Sequence, residues 1–93
     1  RESPALKVID QLLKAKSMVE YFDPYVSSFR FKQLEMKGIE IFANIDFNFY
    51  DLIIITAAHS NIDYAKVVNS DVPIFDTKNV LNKFLNRLNI IKL

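Results

Sequence analysis

The stretch Asp51–Ser60, "DLIIITAAHS", decides the fold class. Its run Leu52-Ile53-Ile54-Ile55 contains no alternation of apolar and polar residues. A strand with one wet face alternates with period two, so a β-branched run of this kind suits a strand covered on both faces. That is the situation in a parallel sheet flanked by helices. The run ends in Thr56, Ala57 and Ala58 and then in His59, the only histidine of the chain. Open parallel sheets bind ligands beyond the carboxyl ends of their strands. "TAAHS" is therefore either the floor of a binding site or simply a way out of a sheet.

Working outward, the flanking segments alternate in type. "RESPALKVIDQLLKAK" (1–16) predicts a helix that Ser3 caps and Pro4 enters at its first position, where a missing N–H costs nothing. Lys7, Asp10, Gln11 and Lys14 form its polar face, and Ala5, Leu6, Val8, Ile9, Leu12 and Leu13 the apolar one. "SMVEYFDP" (17–24) reads as a strand stopped by a turn at Asp23-Pro24. A polar connection with some helical pattern follows from Tyr25, then a strand at Ile39–Phe42. The Phe-rich piece 44–50 is short for a helix.

Beyond the apolar strand, taken as Leu52–Ala57, "NIDYAKVVNS" predicts a short helix from Ser60 or Asn61 to Asn69. "VPIF" (72–75) is a further strand, with Pro73 in its first residues or at an edge. "DTKNVLNKFLNRL" (76–88) carries helical spacing at Val80, Leu81, Phe84, Leu85 and Leu88, and "NIIKL" (89–93) suits a last strand. Strands alternating with helices argue for βαβ units: an α/β, three-layer, Rossmann-like domain with a mainly parallel sheet. A domain of this class opens with a strand, whereas this chain opens at a helix start. The reading is thus of a single domain, 1–93, that is part of a longer protein and lacks its first strand.

Composition narrows the function. A chain of 93 residues supports one small core. The net charge of +1 provides no field for capturing nucleic acid or an acidic membrane, so neither is expected as a partner. No apolar stretch reaches the roughly 18 residues that a membrane span requires, and a cytoplasmic location is expected. Without cysteine there is no disulfide, thiolate metal site or thiol nucleophile in the chain. Gly38 is the only glycine, so neither a G-x-G-x-x-G nor a Walker A phosphate loop can be written.

In the parallel reading, polar residues gather where strands hand over to helices. Arg1, Glu2 and Ser3 precede the first helix, Asp23 and Tyr25 follow one strand, and His59 and Ser60 follow another. Asp76, Thr77, Lys78 and Asn79 follow "VPIF". That edge, with helix N-termini pointing at it and Arg1 and Lys78 added, suits a phosphate or diphosphate. Each residue also has a plain reading. Lys78 alone is a solvated loop lysine, and Arg1 sits at a terminus where disorder is the default. His59 alone is a hydrogen-bonding or capping residue. No catalytic set and no metal cluster can be assembled.

Four pieces in order, "RESPAL", "YFDPYV", "TAAHSNIDY" and "IFDTKNVL", resemble the C-terminal, UDP-binding domain of the UDP-glucose/GDP-mannose dehydrogenase family. "AHSNIDY" and "DTKN" look most like its UDP-N-acetylglucosamine 6-dehydrogenase branch. The resemblance implies oxidation of the sugar C6 alcohol to a carboxylate by NAD. The catalytic cysteine and the Gly-rich NAD loop are carried by N-terminal and central domains, so the fragment alone is not catalytic. UDP-sugar, those domains and a further copy in a homo-oligomer are the implied partners. Lys78 matches the position, more often arginine, that helps hold the UDP-sugar, and Arg1 matches the arginine that reaches NAD. Tyr25, His59 and Thr77 fall in matching segments as cleft-lining residues. Two departures stand out. Lys16-Ser17 replaces a usual glycine, and the family's lysine-bearing strand would precede Arg1. The alternative is a non-catalytic α/β module that associates through an exposed sheet edge and the Phe-rich segment 42–50.

Overall fold

The computed structural model describes residues 4–31, 33–84 and 89–92. It resolves into two compact units, Arg1–Ile45 and Asp46–Leu93.

In the first unit, helix α1 spans Pro4–Lys14, with Pro4 at the first helical position as its fixed φ favours. Ser3, the expected cap, lies outside the described residues, as does Arg1. One turn before its end, Asp10 pairs with Lys14 at 3.2 Å. The helix closes with a Schellman motif. Ser17 N–H donates to the Leu12 carbonyl and Lys16 N–H to the Leu13 carbonyl, both at 3.0 Å. The left-handed residue of that motif is Lys16, at φ 66°, where glycine would be unstrained.

The next segment departs from expectation. Met18–Phe22 forms no strand, and neither does Ile39–Phe42. A strand needs a ladder of partners, and these two segments meet at the bond from Ile39 N–H to the Tyr21 carbonyl, 2.9 Å, without forming one. The intervening residues form the ladder instead. Strands β1 (Ser28–Phe31) and β2 (Leu34–Lys37) make an antiparallel hairpin in the register Phe29↔Met36 and Phe31↔Leu34. Phe29, Phe31, Leu34 and Met36 are the more buried positions, and the alternate residues are exposed. The hairpin replaces the polar, part-helical connection expected here, because period-two alternation outweighs local helix propensity once one face is covered. Gly38 leaves the hairpin where a Cβ would come within 2.9 Å of the Tyr21 ring. Tyr21 packs on Phe29 with centroids 5.2 Å apart, and Phe22 on Phe42 at 5.3 Å. A 3-10 turn, Phe42–Asn44, then stands where the strand was expected to end.

The second unit is the parallel part. Strands β3 (Ile53–Ile55), β4 (Ile74–Asp76) and β5 (Ile90–Lys92) pair in the order β3-β4-β5, with Ile53↔Ile74 and Ile74↔Ile90 in register. No side chain of the Ile53–Ile55 run is fully exposed, as a two-sided strand requires. The strand is shorter than Leu52–Ala57 because its ladder stops where Thr77 N–H reaches the Ile55 carbonyl at 3.2 Å. Leu52, just outside, is exposed.

Helix α2 is brief, Tyr64–Val68, and starts after the expected position because Asp63 is the residue that caps it, accepting from Ala65 N–H at 3.2 Å. It buries Val67 and Val68, which join Ile55, Val72, Ile74 and Leu81 in the core. Asn89 ties the amino edge of the sheet, its Nδ2 donating to the Ser70 and Val72 carbonyls at 3.0 Å each. The Phe-rich segment forms a 3-10 turn, Phe47–Phe49, capped by Asp46. The helix expected over 76–88 does not begin at Asp76; a loop leads to a 3-10 turn at Asn82–Phe84, and 85–88 lie outside the described residues. A three-stranded parallel sheet and an antiparallel pair are together compatible with a Rossmann-like domain. Among the described residues, no helix is long and apolar enough to cross a membrane.

Candidate functional site

The carboxyl edge of the parallel sheet is formed by the loops that leave β3 and β4. The loop after β4 is organised by its first residue. Asp76 is only 2% exposed. Its Oδ1 accepts from the N–H groups of Lys78 at 3.1 Å and Val80 at 3.3 Å, and its Oδ2 accepts from Leu81 N–H at 3.0 Å. A buried carboxylate is costly unless hydrogen-bonded, and this one is satisfied by the backbone it turns. The turn passes through Asn79 at φ 58°, a left-handed conformation that asparagine tolerates. The N–H groups of Val80 and Leu81, which a helix starting here would direct at the Asp76 and Thr77 carbonyls, donate to the Asp76 side chain instead, so no helix starts at Asp76.

Thr77 is drawn onto the neighbouring strand, its Oγ1 donating to the Ile55 carbonyl at 2.6 Å. Lys78 follows and is exposed. No carboxylate pairs with its ammonium among the contacts of the described residues. The loop after β3 carries Thr56, Ala57, Ala58 and His59. Its shape is held by a tyrosine, because His59 N–H donates to the Tyr64 hydroxyl at 3.0 Å. His59, Thr77 and Lys78 thus sit on loops that leave adjacent parallel strands.

Tyr25 belongs to the other unit. Asp23 Oδ1 accepts from Tyr25 N–H at 2.7 Å, an Asx turn of the kind Asp-Pro predisposes. Tyr25 and Asp23 line an open recess of about 540 Å3 with Phe22, Pro24, Ile39 and Glu40. Beside it, Tyr21 donates its hydroxyl to the Val26 carbonyl at 2.9 Å. Partial burial, and then the Asp23 charge, push the Tyr21 pKa above its ordinary value, against a smaller opposing effect of a hydrogen bond with the Gly38 backbone. No cluster of metal-ligating side chains occurs among the described residues.

Sequence reasoning placed Asp76 on this edge without a role and gave Tyr64 none. The signals were there: an Asp at a strand end ahead of Thr-Lys-Asn, and a tyrosine closing "AHSNIDY". The expected helix N-termini do not both reach the edge. Between β3 and α2 lie eight residues, 56–63, and the N–H groups after β4 are taken by Asp76.

A parallel sheet with small and basic residues on its carboxyl-edge loops defines an α/β domain whose ligands would sit at that edge. The profile of the UDP-glucose/GDP-mannose dehydrogenase family, UDP binding domain, matches residues 1–83. The chain belongs to this family, and is the UDP-binding part of a dehydrogenase. Neither the comparison with curated proteins nor that with solved structures finds a match.

Proposed function

We propose that the chain binds a UDP-sugar for an NAD-dependent nucleotide-sugar 6-dehydrogenase, with UDP-N-acetylglucosamine as the substrate its motifs resemble. The observation that carries the site is Lys78, exposed on the loop after β4 in a domain of the UDP-binding family. Its ammonium is a compact point charge that suits a diphosphate oxygen. Thr77 and His59 border the same edge. NAD supplies the hydride acceptor for oxidation of the sugar alcohol. Arg1 matches the family arginine that reaches NAD, and the chain, which has no cysteine, supplies no thiol nucleophile. That chemistry belongs to the N-terminal and central domains of the parent enzyme, and a homo-oligomer in the cytoplasm is the expected setting.

Titration calorimetry with UDP tests the reading. Lys78→Ala should weaken binding by roughly 1.5–3 kcal/mol, the worth of one hydrogen bond to a charged group. Lys78→Arg should bind at least as well as the lysine, since it adds a fork. Unchanged affinity in the alanine variant removes Lys78 from the site. A second reading, association through the Phe-rich segment, is favoured by Phe49, which is 77% exposed. Phe47 is half-buried and has Lys66 Nζ 5.7 Å from its ring centroid, so the patch is smaller than the segment's composition suggests.

A further inference from the structure

We infer that Asp76 is a positioning residue for the diphosphate site, and that the loop it organises offers the ligand a side-chain cation and not a backbone cradle. The inference rests on the role of Lys78 proposed above.

Three facts carry it. Asp76 is a nearly inaccessible carboxylate, so it cannot touch a ligand itself. Both its oxygens are engaged, by the N–H groups of Lys78, Val80 and Leu81, which are the groups a phosphate would otherwise recruit from such a loop. And Thr77 N–H and Oγ1 are both committed to the Ile55 carbonyl, which anchors the loop to the adjacent strand. With the residues on either side of it anchored, the Cα of Lys78 has a set position and its side chain points out of a fixed turn. Asp76 thus acts as an internal anion. It occupies three of the loop's backbone donors, turns the chain through Asn79 in the left-handed region, and leaves the lysine as the loop's charged contribution to binding.

A double-mutant cycle on the 93-residue chain tests this, with UDP as titrant and the thermal midpoint as a folding control. Asp76→Asn turns one oxygen into a donor facing N–H groups and should release the loop. UDP binding should weaken roughly 10- to 150-fold, as in Lys78→Ala, and Asp76→Asn added to Lys78→Ala should cost less than about twofold more. Additive losses would overturn the inference, since Asp76 would then support binding independently of Lys78. So would unchanged affinity in Asp76→Asn beside a weakened Lys78→Ala, an outcome that leaves the functional reading intact. If UDP fails to bind the unaltered chain, or Lys78→Ala binds it normally, the functional reading itself fails and takes the inference with it. Should Asp76→Asn not fold, Asp76→Glu keeps the charge and displaces the turn, and the same cycle applies. Amide exchange on the unaltered chain supplies a check without substitution. The Lys78, Val80 and Leu81 amides should be slow without UDP and unchanged with it. Protection that appears only on adding UDP would mean the ligand takes the backbone donors, contrary to the inference.

Discussion

Lys16 ends α1 in a conformation that disfavours its own Cβ. A left-handed residue with a side chain costs roughly 1–2 kcal/mol relative to the right-handed form, and glycine avoids this at some cost in unfolded-state entropy. Lys16 is exposed, so nothing else is lost on replacing it. Lys16→Gly should therefore stabilise the chain by about 0.5–1 kcal/mol, read as a rise in the urea midpoint; a fall would contradict the strain argument. Tyr21 makes a different prediction. Its folded pKa lies above its unfolded value, first through partial burial and then through Asp23. The folded state therefore holds the phenolic proton longer. That contribution to stability is fully present below pH ~10 and is lost as pH rises through the folded pKa. Urea unfolding at pH 9 to 11 should show stability falling more steeply in the unaltered chain than in Tyr21→Phe. Parallel profiles would mean Tyr21 ionises equally in both states.

At the scale of elements, α2 is too short to stand on propensity and depends on its cap and its buried valines. Asp63→Ala removes the bond to Ala65 N–H and should cost about 1 kcal/mol, with the amides of α2 exchanging faster than those of β4. Equal protection in both would show that the cap is dispensable. Elements whose signal is local were legible beforehand: the α1 start at Pro4, the two-sided run Ile53–Ile55, the short strand after Pro73 and the last strand at Ile90–Lys92. The hairpin Ser28–Lys37 was also written in alternation, at Phe29, Phe31, Leu34 and Met36, but the polar residues between them masked it. The segments Met18–Phe22 and Ile39–Phe42 have strand composition and no ladder.

For the whole molecule, exposed apolar area bears on association. Phe49 stacks edge-on against Tyr50 at 5.3 Å and remains mostly accessible, and Leu52 follows it on the same unit. Light scattering over a concentration series should show whether the chain associates through this segment, and Phe49→Ser should abolish such association without changing the UDP affinity. Association that persists in the variant would exclude Phe49. Of the candidate site, the sequence alone placed Lys78, Thr77 and His59 on one sheet edge, because a buried apolar run followed by small and polar residues marks the carboxyl end of a parallel strand wherever the rest of the chain goes. It also excluded thiol and glycine-loop chemistry through residues that are not there. Only the tertiary structure decided which backbone groups are open to a ligand. The 76–88 segment has helical spacing, yet the buried Asp76 carboxylate takes the N–H groups of Val80 and Leu81 that a helix would direct at backbone carbonyls, and the first regular turn begins at Asn82. Likewise, strand composition at Met18–Phe22 and Ile39–Phe42 did not become sheet, because a strand is made by its neighbours' hydrogen bonds, and those are set by packing rather than by the residues of the strand itself.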